Sequence, residues 1–265
     1  MRHPLRLLHE YAALYAGLGL LGISTLSWSL LSVPLYYLLP QPLGIRLGRR
    51  AINCIFRFYL GSLSRLRACH FDLSALDSLR DQGPLLIAPN HPCLLDAFFV
   101  LSRLDNVACI MKAEIVDNVF LGAGARLAGY LRNDSPLNMI QQAVDELGRG
   151  NPLLLFPEGT RTVTWPLNPF QKSVGRIAQR ARVPVQTVFI ETDSAYLSKG
   201  WPLFKKPLAL PIHYRVRLGK RFDPPDNAAR FSKELYDYFS QELHLHPPLQ
   251  AAGLPAPTDA LAAKT

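Results

Sequence analysis

The chain has 265 residues, of which 49% are hydrophobic and 18% are charged, and 29 Lys and Arg residues against 20 Asp and Glu residues give a net charge of +9. This length suffices for one catalytic domain with an appendage, and the apolar, basic composition favours a protein associated with anionic lipid over a free cytosolic protein. No nucleic-acid-binding motif occurs and the four cysteines lack metal-site spacing, so we expect no nucleic-acid partner, no metal, and free thiols in a reducing compartment.

The first predicted element is an apolar segment, because no charged residue occurs between residues 11 and 45. About 20 apolar residues span a bilayer core, so this segment is long enough to cross a membrane once. Two alternatives stay open: a cleaved signal peptide, whose apolar core would be much shorter, and a bent pair of short helices that dips into one leaflet. Residues that favour such a bend lie near the middle of the segment: Gly22, Ser24, Thr25, Ser27, Ser29 and Pro34.

Arginines dominate the next part of the chain. They outweigh the basic N-terminus and, by the positive-inside rule, predict that the following domain lies on the cytoplasmic side of the cell membrane. Residues 47–63 have an amphipathic pattern, with arginines on one side, that predicts a helix lying at the membrane interface, and a plain surface helix is the alternative. The arginines are Arg46, Arg49, Arg50, Arg57, Arg65 and Arg67.

The rest of the chain alternates strand-like and helix-like runs. Strands are predicted at residues 66–71, 85–88, 107–111, 153–156, 185–190 and 212–218, and helices at residues 93–103, 116–127, 136–149 (with Ser135 as its cap), 171–182 and 227–244. This alternation predicts an α/β fold with a mostly parallel central sheet flanked by helices. The chain therefore divides into a hydrophobic membrane segment with an interfacial helix (1–63), a globular domain (64–246) and a disordered tail (247–265).

The first candidate site lies in the turn after the second predicted strand, where the sequence reads Asn-His-Pro-Cys-Leu-Leu-Asp from Asn90 to Asp96. Proteins of the α/β class present reactive groups at such strand-to-helix turns. Pro92 suits the first helical position, which would leave His91 outside the helix and Asp96 just over one turn inside it. An imidazole held by a carboxylate can act as a general base, so His91 and Asp96 are candidate catalytic residues. A capping histidine with a solvated aspartate is the alternative.

A second candidate turn, Pro-Glu-Gly-Thr-Arg, follows the fourth predicted strand and ends at Arg161. Gly159 lets an anion approach the backbone closely, the Arg161 guanidinium suits phosphate, and the Thr160 hydroxyl adds a donor. Glu158 cannot bind phosphate itself, so we expect it to orient an arginine or to bond an acceptor hydroxyl. A turn that carries a surface ion pair is the alternative.

Together, the patterns Asn-His-x4-Asp and Phe-Pro-Glu-Gly-Thr-Arg resemble the glycerolipid acyltransferase family, best known for lysophosphatidic acid (1-acylglycerol-3-phosphate) acyltransferases, over residues 66–218. The resemblance implies a membrane-associated O-acyltransferase of phospholipid biosynthesis, with residues 64–246 as its catalytic domain. It implies transfer of a fatty acyl group from acyl-CoA or acyl carrier protein to a lysolipid hydroxyl, with 1-acylglycerol-3-phosphate as the expected acceptor. Membrane lipids are then partners, and no cofactor is needed beyond the thioester co-substrate.

Two further residues gain a role only through this resemblance. Members of the family carry a Gly-x-x-x-Arg-like segment whose arginine contacts the acceptor phosphate, which makes Arg132 a candidate. The segment Phe-Gln-Lys-Ser-Val-Gly resembles the family's Phe-Lys-x-Gly segment, shifted by one residue, and makes Lys172 a candidate for the same site. Together with residues 158–161 they form the predicted substrate-binding set, and a solvated arginine and a surface lysine are the alternatives.

Several functional alternatives stay open from the sequence. Cys93 stands where the family usually has a small hydroxyl residue, so a thiol nucleophile activated by His91 is conceivable. The acceptor could be another lysolipid, such as an ornithine lipid or a glycolipid, or water in a thioester hydrolase. A non-catalytic lipid-binding protein would keep the membrane segment but would not need a His91–Asp96 pair.

Overall fold

The computed structural model describes residues 4–118, 120–205 and 209–245, and the predicted tail at residues 247–265 lies outside them. The centre of the described part is a seven-stranded sheet. In chain order its strands are β1 (Cys69–Asp72), β2 (Leu86–Pro89), β3 (Ala108–Met111), β4 (Leu131–Arg132), β5 (Leu153–Leu154), β6 (Val185–Thr192) and β7 (Ile212–Phe222). Their order across the sheet is β1-β7-β6-β2-β5-β3-β4.

The predicted fold class is confirmed, because neighbouring strands are parallel except for the antiparallel pair β6 and β7. Side chains alternate between two apolar clusters: Leu86 and Ala88 of β2 face one, and Ile87 faces the other. Strands buried on both faces read as continuous apolar runs, which is how they appear in the sequence. The carboxyl ends of β2, β5, β3 and β4 share one edge of the sheet, and both candidate turns start there.

Helices cover both faces of the sheet. The described helices are α1 (Pro4–Leu38), α2 (Gln41–Arg65), α3 (Asp96–Arg103), α4 (Ala113–Val116), α5 (Gly122–Leu127), α6 (Pro136–Gly148), α7 (Ser173–Ala181) and α8 (Ala228–Leu245), with a 3-10 helix at Ser74–Leu79. The first, second, third and fifth helices contribute to one apolar cluster, and α6, α7 and α8 contribute to the other. Two layers of helices around one sheet are therefore the frame of the candidate site.

One local prediction is wrong and a second is met only in part. The helix expected at 116–127 is interrupted between α4 and α5, where the Asn118 side chain accepts a hydrogen bond from the Phe120 backbone at 2.8 Å. Such a local bond competes with helix continuation, and a Cβ on Gly122 would come within 2.0 Å of the Val116 carbonyl oxygen, so this close turn requires glycine. Ser135 does precede α6, but its side chain makes no capping hydrogen bond.

Helix α1 has its small and polar residues against the protein and its large apolar residues outside. The face towards the domain is formed by Glu10, Ala13, Leu14, Gly17, Thr25, Ser29 and Ser32, and the Ser29 hydroxyl donates to the Phe120 carbonyl at 2.6 Å. By length and composition α1 is the helix of the described chain that could cross a membrane. It runs unbroken past Gly22 and Pro34, so the mid-segment bend that the dipping alternative allowed for is not seen. The break lies at Leu39 and Pro40.

Helix α2 lies on protein along its apolar side. Its buried Phe56 stacks on Phe98 of α3 with the ring centroids 3.8 Å apart. Arg49 lies on the same buried side, pairs with the Glu146 carboxylate of α6, and donates to the Ala128 carbonyl at 3.0 Å. The expectation that the arginines share one outer face at a membrane interface is therefore wrong for Arg49, because a buried carboxylate holds it inward.

Candidate active site

His91 and Asp96 meet in the turn that leaves β2. The His91 Nδ1 atom lies 2.8 Å from Asp96 Oδ2. Helix α3 begins at Asp96, after a turn through residues 92–95, so the expectation that Pro92 opens the helix and Asp96 lies one turn inside is wrong. The turn, and not a helical repeat, brings the two side chains together. At the first helical position the carboxylate also interacts favourably with the positive end of the helix.

The Asp96 carboxylate is fully buried and has three hydrogen-bond donors. Besides His91, the Cys93 backbone N–H donates to Oδ2 at 2.8 Å and the Cys93 thiol donates to Oδ1 at 2.9 Å. Because a carboxylate only accepts, Nδ1 of His91 carries a proton, and in the neutral imidazole Nε2 keeps its lone pair. The arrangement therefore prepares His91 to accept a proton at Nε2.

The His91 ring is held from its face as well as from its edge. It stacks on Phe156, which follows β5, with the ring centroids 3.9 Å apart and the planes 20° from parallel. The His91 side chain is nevertheless 18% exposed, whereas Asp96 is inaccessible. An imidazole that is fixed in orientation but open on one side can meet a substrate without rearranging.

Glu158 joins the second candidate turn to the first. Its buried carboxylate accepts hydrogen bonds from the His91 backbone N–H at 3.0 Å, the Thr162 hydroxyl at 2.8 Å and the Asn168 backbone N–H at 2.9 Å. Burial raises the pKa of this carboxyl, and the three donors oppose that rise. Among the described residues the donors to Glu158 are two backbone N–H groups and a hydroxyl, and no arginine, so the expectation that it orients an arginine is not met there. That Glu158 bonds an acceptor hydroxyl stays a prediction.

The glycine turn and Arg161 lie beside His91. The Thr162 backbone N–H donates to the His91 carbonyl at 2.8 Å, and Gly159 has a φ of +66°, which glycine adopts without strain. Arg161 Nη1 donates to the carbonyls of Leu197 at 2.9 Å and Ser198 at 3.1 Å. Its Nε and Nη2 have no protein partner within the described residues. They are free to bind an anion.

The side chains of Thr160, Arg132 and Lys172 make no hydrogen bond to His91 or Asp96 within the described residues. The Thr160 hydroxyl has no hydrogen bond to the described residues and is half-buried. Arg132 is the last residue of the edge strand β4 and is held by two carboxylates, Asp117 at 2.8 Å and Asp134 at 2.9 Å. Lys172 is exposed just before α7. The structure thus brings together His91, Asp96 and residues 158–161, whereas Arg132 has its guanidinium occupied.

Three residues that the sequence interpretation did not single out hold the site in place. Asn90 bonds both backbone groups of Ile190 in β6, accepting from its N–H at 2.7 Å and donating to its carbonyl at 3.0 Å. Asn168 donates to the Arg161 carbonyl at 3.0 Å, and Thr162 bonds Glu158. Asn90 follows an apolar strand and is the first residue of the Asn-His-x4-Asp pattern, so the sequence marks its position, but nothing in the local sequence marks the other two.

Known proteins resemble this chain in sequence and in fold. The family model described as Acyltransferase matches residues 70–191, which contain both turns. The 1-acyl-sn-glycerol-3-phosphate acyltransferase of Limnanthes alba is 25% identical over 232 residues (84% of this chain, 75% of the relative), and that of Helicobacter pylori is 24% identical over 209 residues (76% and 81%). The chain is thus similar to the acyltransferase family over residues 70–191, and to 1-acyl-sn-glycerol-3-phosphate acyltransferases over most of its length. The crystal structure of the LPA acyltransferase PlsC from Thermotoga maritima has the same fold, with a TM-score of 0.66 at 17% identity over 92% of this chain and 97% of that one.

In this acyltransferase, Cys93 is a donor to Asp96 and not a thiol poised for attack. Its side chain is 1% exposed and its thiol points at the Asp96 carboxylate. Burial and the neighbouring Asp96 charge raise the pKa of the Cys93 thiol well above its ordinary value. A nucleophilic cysteine needs the opposite, a lowered pKa next to a base, so the geometry argues against the thiol-nucleophile alternative.

We expect Cys93→Ser to retain acyl transfer and Cys93→Ala to lose about tenfold in kcat/KM, because serine keeps a donor to Asp96 and alanine does not. Initial rates of thioester consumption measure both. Mass spectrometry of enzyme quenched during turnover provides the control for a covalent route. An acyl group found on Cys93, together with an inactive serine variant, would contradict the assignment.

We expect Glu158→Ala to lower the free energy of unfolding by about 2–4 kcal/mol, because two backbone N–H groups lose their buried acceptor. Glu158→Gln is the matched variant: it keeps one oxygen acceptor and should lie between wild type and alanine. Chemical denaturation in detergent, followed by circular dichroism, gives the three values. An alanine variant as stable as wild type would mean that the two turns are held together by other contacts.

Proposed function

We propose that this enzyme transfers a fatty acyl group from acyl-CoA or acyl carrier protein to the free hydroxyl of 1-acylglycerol-3-phosphate, in phospholipid biosynthesis. The observation that carries the proposal is the adjacency of the two turns: the carbonyl of His91 accepts the Thr162 N–H at 2.8 Å, next to Arg161 in the chain. A general base and an anion-binding arginine then serve one lysolipid. The names of the Limnanthes alba and Helicobacter pylori relatives support the same acceptor.

The chemical step follows from the state of His91. Its Nε2 atom takes the proton of the acceptor hydroxyl as the hydroxyl oxygen attacks the thioester carbonyl carbon. The tetrahedral intermediate then collapses, the carbon–sulfur bond breaks, and the thiolate leaves with the electron pair. The proton on Nε2 passes to that thiolate, which restores neutral His91. Asp96 stabilises the imidazolium between these two transfers and keeps the ring in its tautomer.

Recognition of the acceptor phosphate falls to the glycine turn. The open Nε and Nη2 of Arg161 offer a planar pair of donors, and the Thr160 hydroxyl and the backbone around Gly159 add to them. Arg132 would join the site only by exchanging the Asp117 and Asp134 carboxylates for phosphate, and exposed Lys172 would contribute long-range charge. The positive charges draw an anionic lysolipid towards His91.

Membrane association fits a lipid acceptor. The exposed face of α1 carries large apolar side chains, and its opposite face lies on the catalytic domain, which supports an anchor embedded beside the domain. The arginines that follow α1 support a position on the cytoplasmic side of the membrane. There the domain would have access to cytoplasmic thioester donors.

The experiment is an acceptor panel on the purified full chain in detergent. A labelled acyl thioester is offered with 1-acylglycerol-3-phosphate, a lyso-ornithine lipid, a lysoglycolipid or no acceptor, and lipid products and free fatty acid are separated. We expect product with 1-acylglycerol-3-phosphate, and a raised KM for that acceptor in Arg161→Gln. Preference for an uncharged acceptor would overturn the proposal, and fatty acid released equally without acceptor would indicate a hydrolase.

A further inference from the structure

A second apolar surface lies beside the outer face of α1, in the connection between β6 and β7. We call it the loop patch and define it as Lys199, Trp201, Leu203, Phe204 and Lys205. Leu203 is 45% exposed and Phe204 is 65% exposed. The Phe204 ring lies 6.4 Å from the ring of Tyr15 in α1, which is itself 50% exposed. The loop patch therefore extends the exposed apolar face of the helix.

Cations border the aromatic side chains of the loop patch. The Lys205 ammonium lies 5.1 Å from the centre of the Trp201 ring, and the Trp201 indole N–H donates to the Lys205 carbonyl at 2.9 Å. Lys199 is also exposed. Amphipathic rings next to lysines are typical of the head-group level of a bilayer, where the ring meets the acyl boundary and the ammonium meets anionic lipid.

The loop patch is tied to the site through the start of the same connection. The carbonyls of Leu197 and Ser198 accept the Nη1 hydrogen bonds of Arg161, and the Leu197 carbonyl also accepts the backbone N–H of Leu94, in the turn between His91 and Asp96. One short segment thus links the exposed Phe204 to the arginine of the glycine turn. Arg161 is thus bonded to the residues that directly precede the loop patch in the chain.

We propose that the loop patch is a second membrane contact, which inserts Leu203 and Phe204 at the head-group level of an anionic bilayer and aligns Arg161 with the lipid phosphates. The proposal rests on the membrane association proposed above for α1. An acidic protein is the other occupant that the lysines would suit. A bilayer is favoured because the aromatic rings continue the apolar face of α1, and an acidic protein surface would leave that face uncovered.

The test uses an environment-sensitive fluorophore on the full chain. Phe204→Cys is labelled in a Cys54→Ser background, because Cys54 is exposed whereas Cys69, Cys93 and Cys109 are buried. The matched control is Leu137→Cys in the same background: Leu137 is 69% exposed on α6, on the opposite side of the sheet. Vesicles contain phosphatidylcholine with or without phosphatidylglycerol, and with or without a lipid that carries a quencher at the head-group boundary.

We expect a blue shift and strong quenching at position 204 on phosphatidylglycerol vesicles, and neither at position 137. The double variant Lys199→Glu/Lys205→Glu should weaken the shift at position 204. An unquenched label at position 204 on protein that floats with the vesicles would overturn the proposal. A label that responds only to added acyl carrier protein would also overturn it and identify a protein surface. Activity in detergent reports separately on the proposed acyl transfer.

Discussion

Replacing His91 with alanine should lower kcat/KM for acyl transfer by about 10²- to 10⁴-fold, the usual contribution of a general base. The imidazole is the group whose orientation is fixed by Asp96 at 2.8 Å and by Phe156 across its face. Within the described residues no other base is held in this way between the two turns. Initial rates with a labelled acyl thioester and 1-acylglycerol-3-phosphate measure the effect.

The chain provides its own control for this variant. His213 forms a second histidine–aspartate pair, with Nδ1 2.7 Å from Asp193 Oδ2, but it lies at the start of β7 and is half exposed. His213→Ala should therefore leave acyl transfer unchanged. If His91→Ala kept wild-type activity, the base would have to lie elsewhere and the proposed mechanism would be lost.

Asp96→Asn should reduce kcat/KM by about 10²- to 10⁴-fold, although the asparagine side chain has nearly the same shape as that of aspartate. All three neighbours of this carboxylate are donors: the ring of His91, and the backbone N–H and thiol of Cys93. An amide replaces one acceptor by a donor, so either the thiol or the imidazole Nδ1 loses its partner. If the amide N–H faces His91, Nδ1 becomes the acceptor and Nε2 carries the proton, which removes the base from the substrate side.

The measurement pairs steady-state rates with thermal unfolding in detergent, since the substitution also affects a buried group. Asp193→Asn is the matched control at the exposed pair and should retain activity. A fully active Asp96→Asn enzyme would show that the tautomer of His91 is not set by this carboxylate. If Asp96→Asn is inactive because it is unfolded, Asp96→Glu distinguishes loss of folding from loss of catalysis. Glutamate keeps the negative charge and only lengthens the side chain.

The fold could be predicted because its strands are buried on both sides and its helices alternate with them. The His91–Asp96 pair could be predicted only as a pair, because a spacing of five residues fits no regular helix. The actual start of α3 at Asp96 depends on how residues 92–95 turn, which no periodicity encodes. The position of the pair in the chain and its chemistry could therefore be predicted from the sequence, whereas the path of the backbone between the two residues could not.

The hydrogen-bond partners of Glu158 could not be predicted from the sequence. A carboxylate in a turn suggests solvent or a substrate, yet three protein donors surround it, and one of them belongs to His91, 67 residues earlier in the chain. The engagement of Arg132 with Asp117 and Asp134 is a similar case, because both partners lie in connections without a repeating pattern. Contacts of this kind depend on which loops the sheet order brings to one edge.

The pairing of Arg49 with Glu146 has a consequence for how the protein can be divided. A truncated chain beginning at residue 64 would keep the complete sheet and both motifs, but it would remove Arg49, the buried partner of the Glu146 carboxylate, and leave that carboxylate paired with the exposed Arg149 alone. It would also uncover the ring of Phe98 by deleting Phe56. The N-terminal helices are consequently part of the folding unit, and a soluble catalytic fragment would first require that interior charge and that exposed ring to be redesigned.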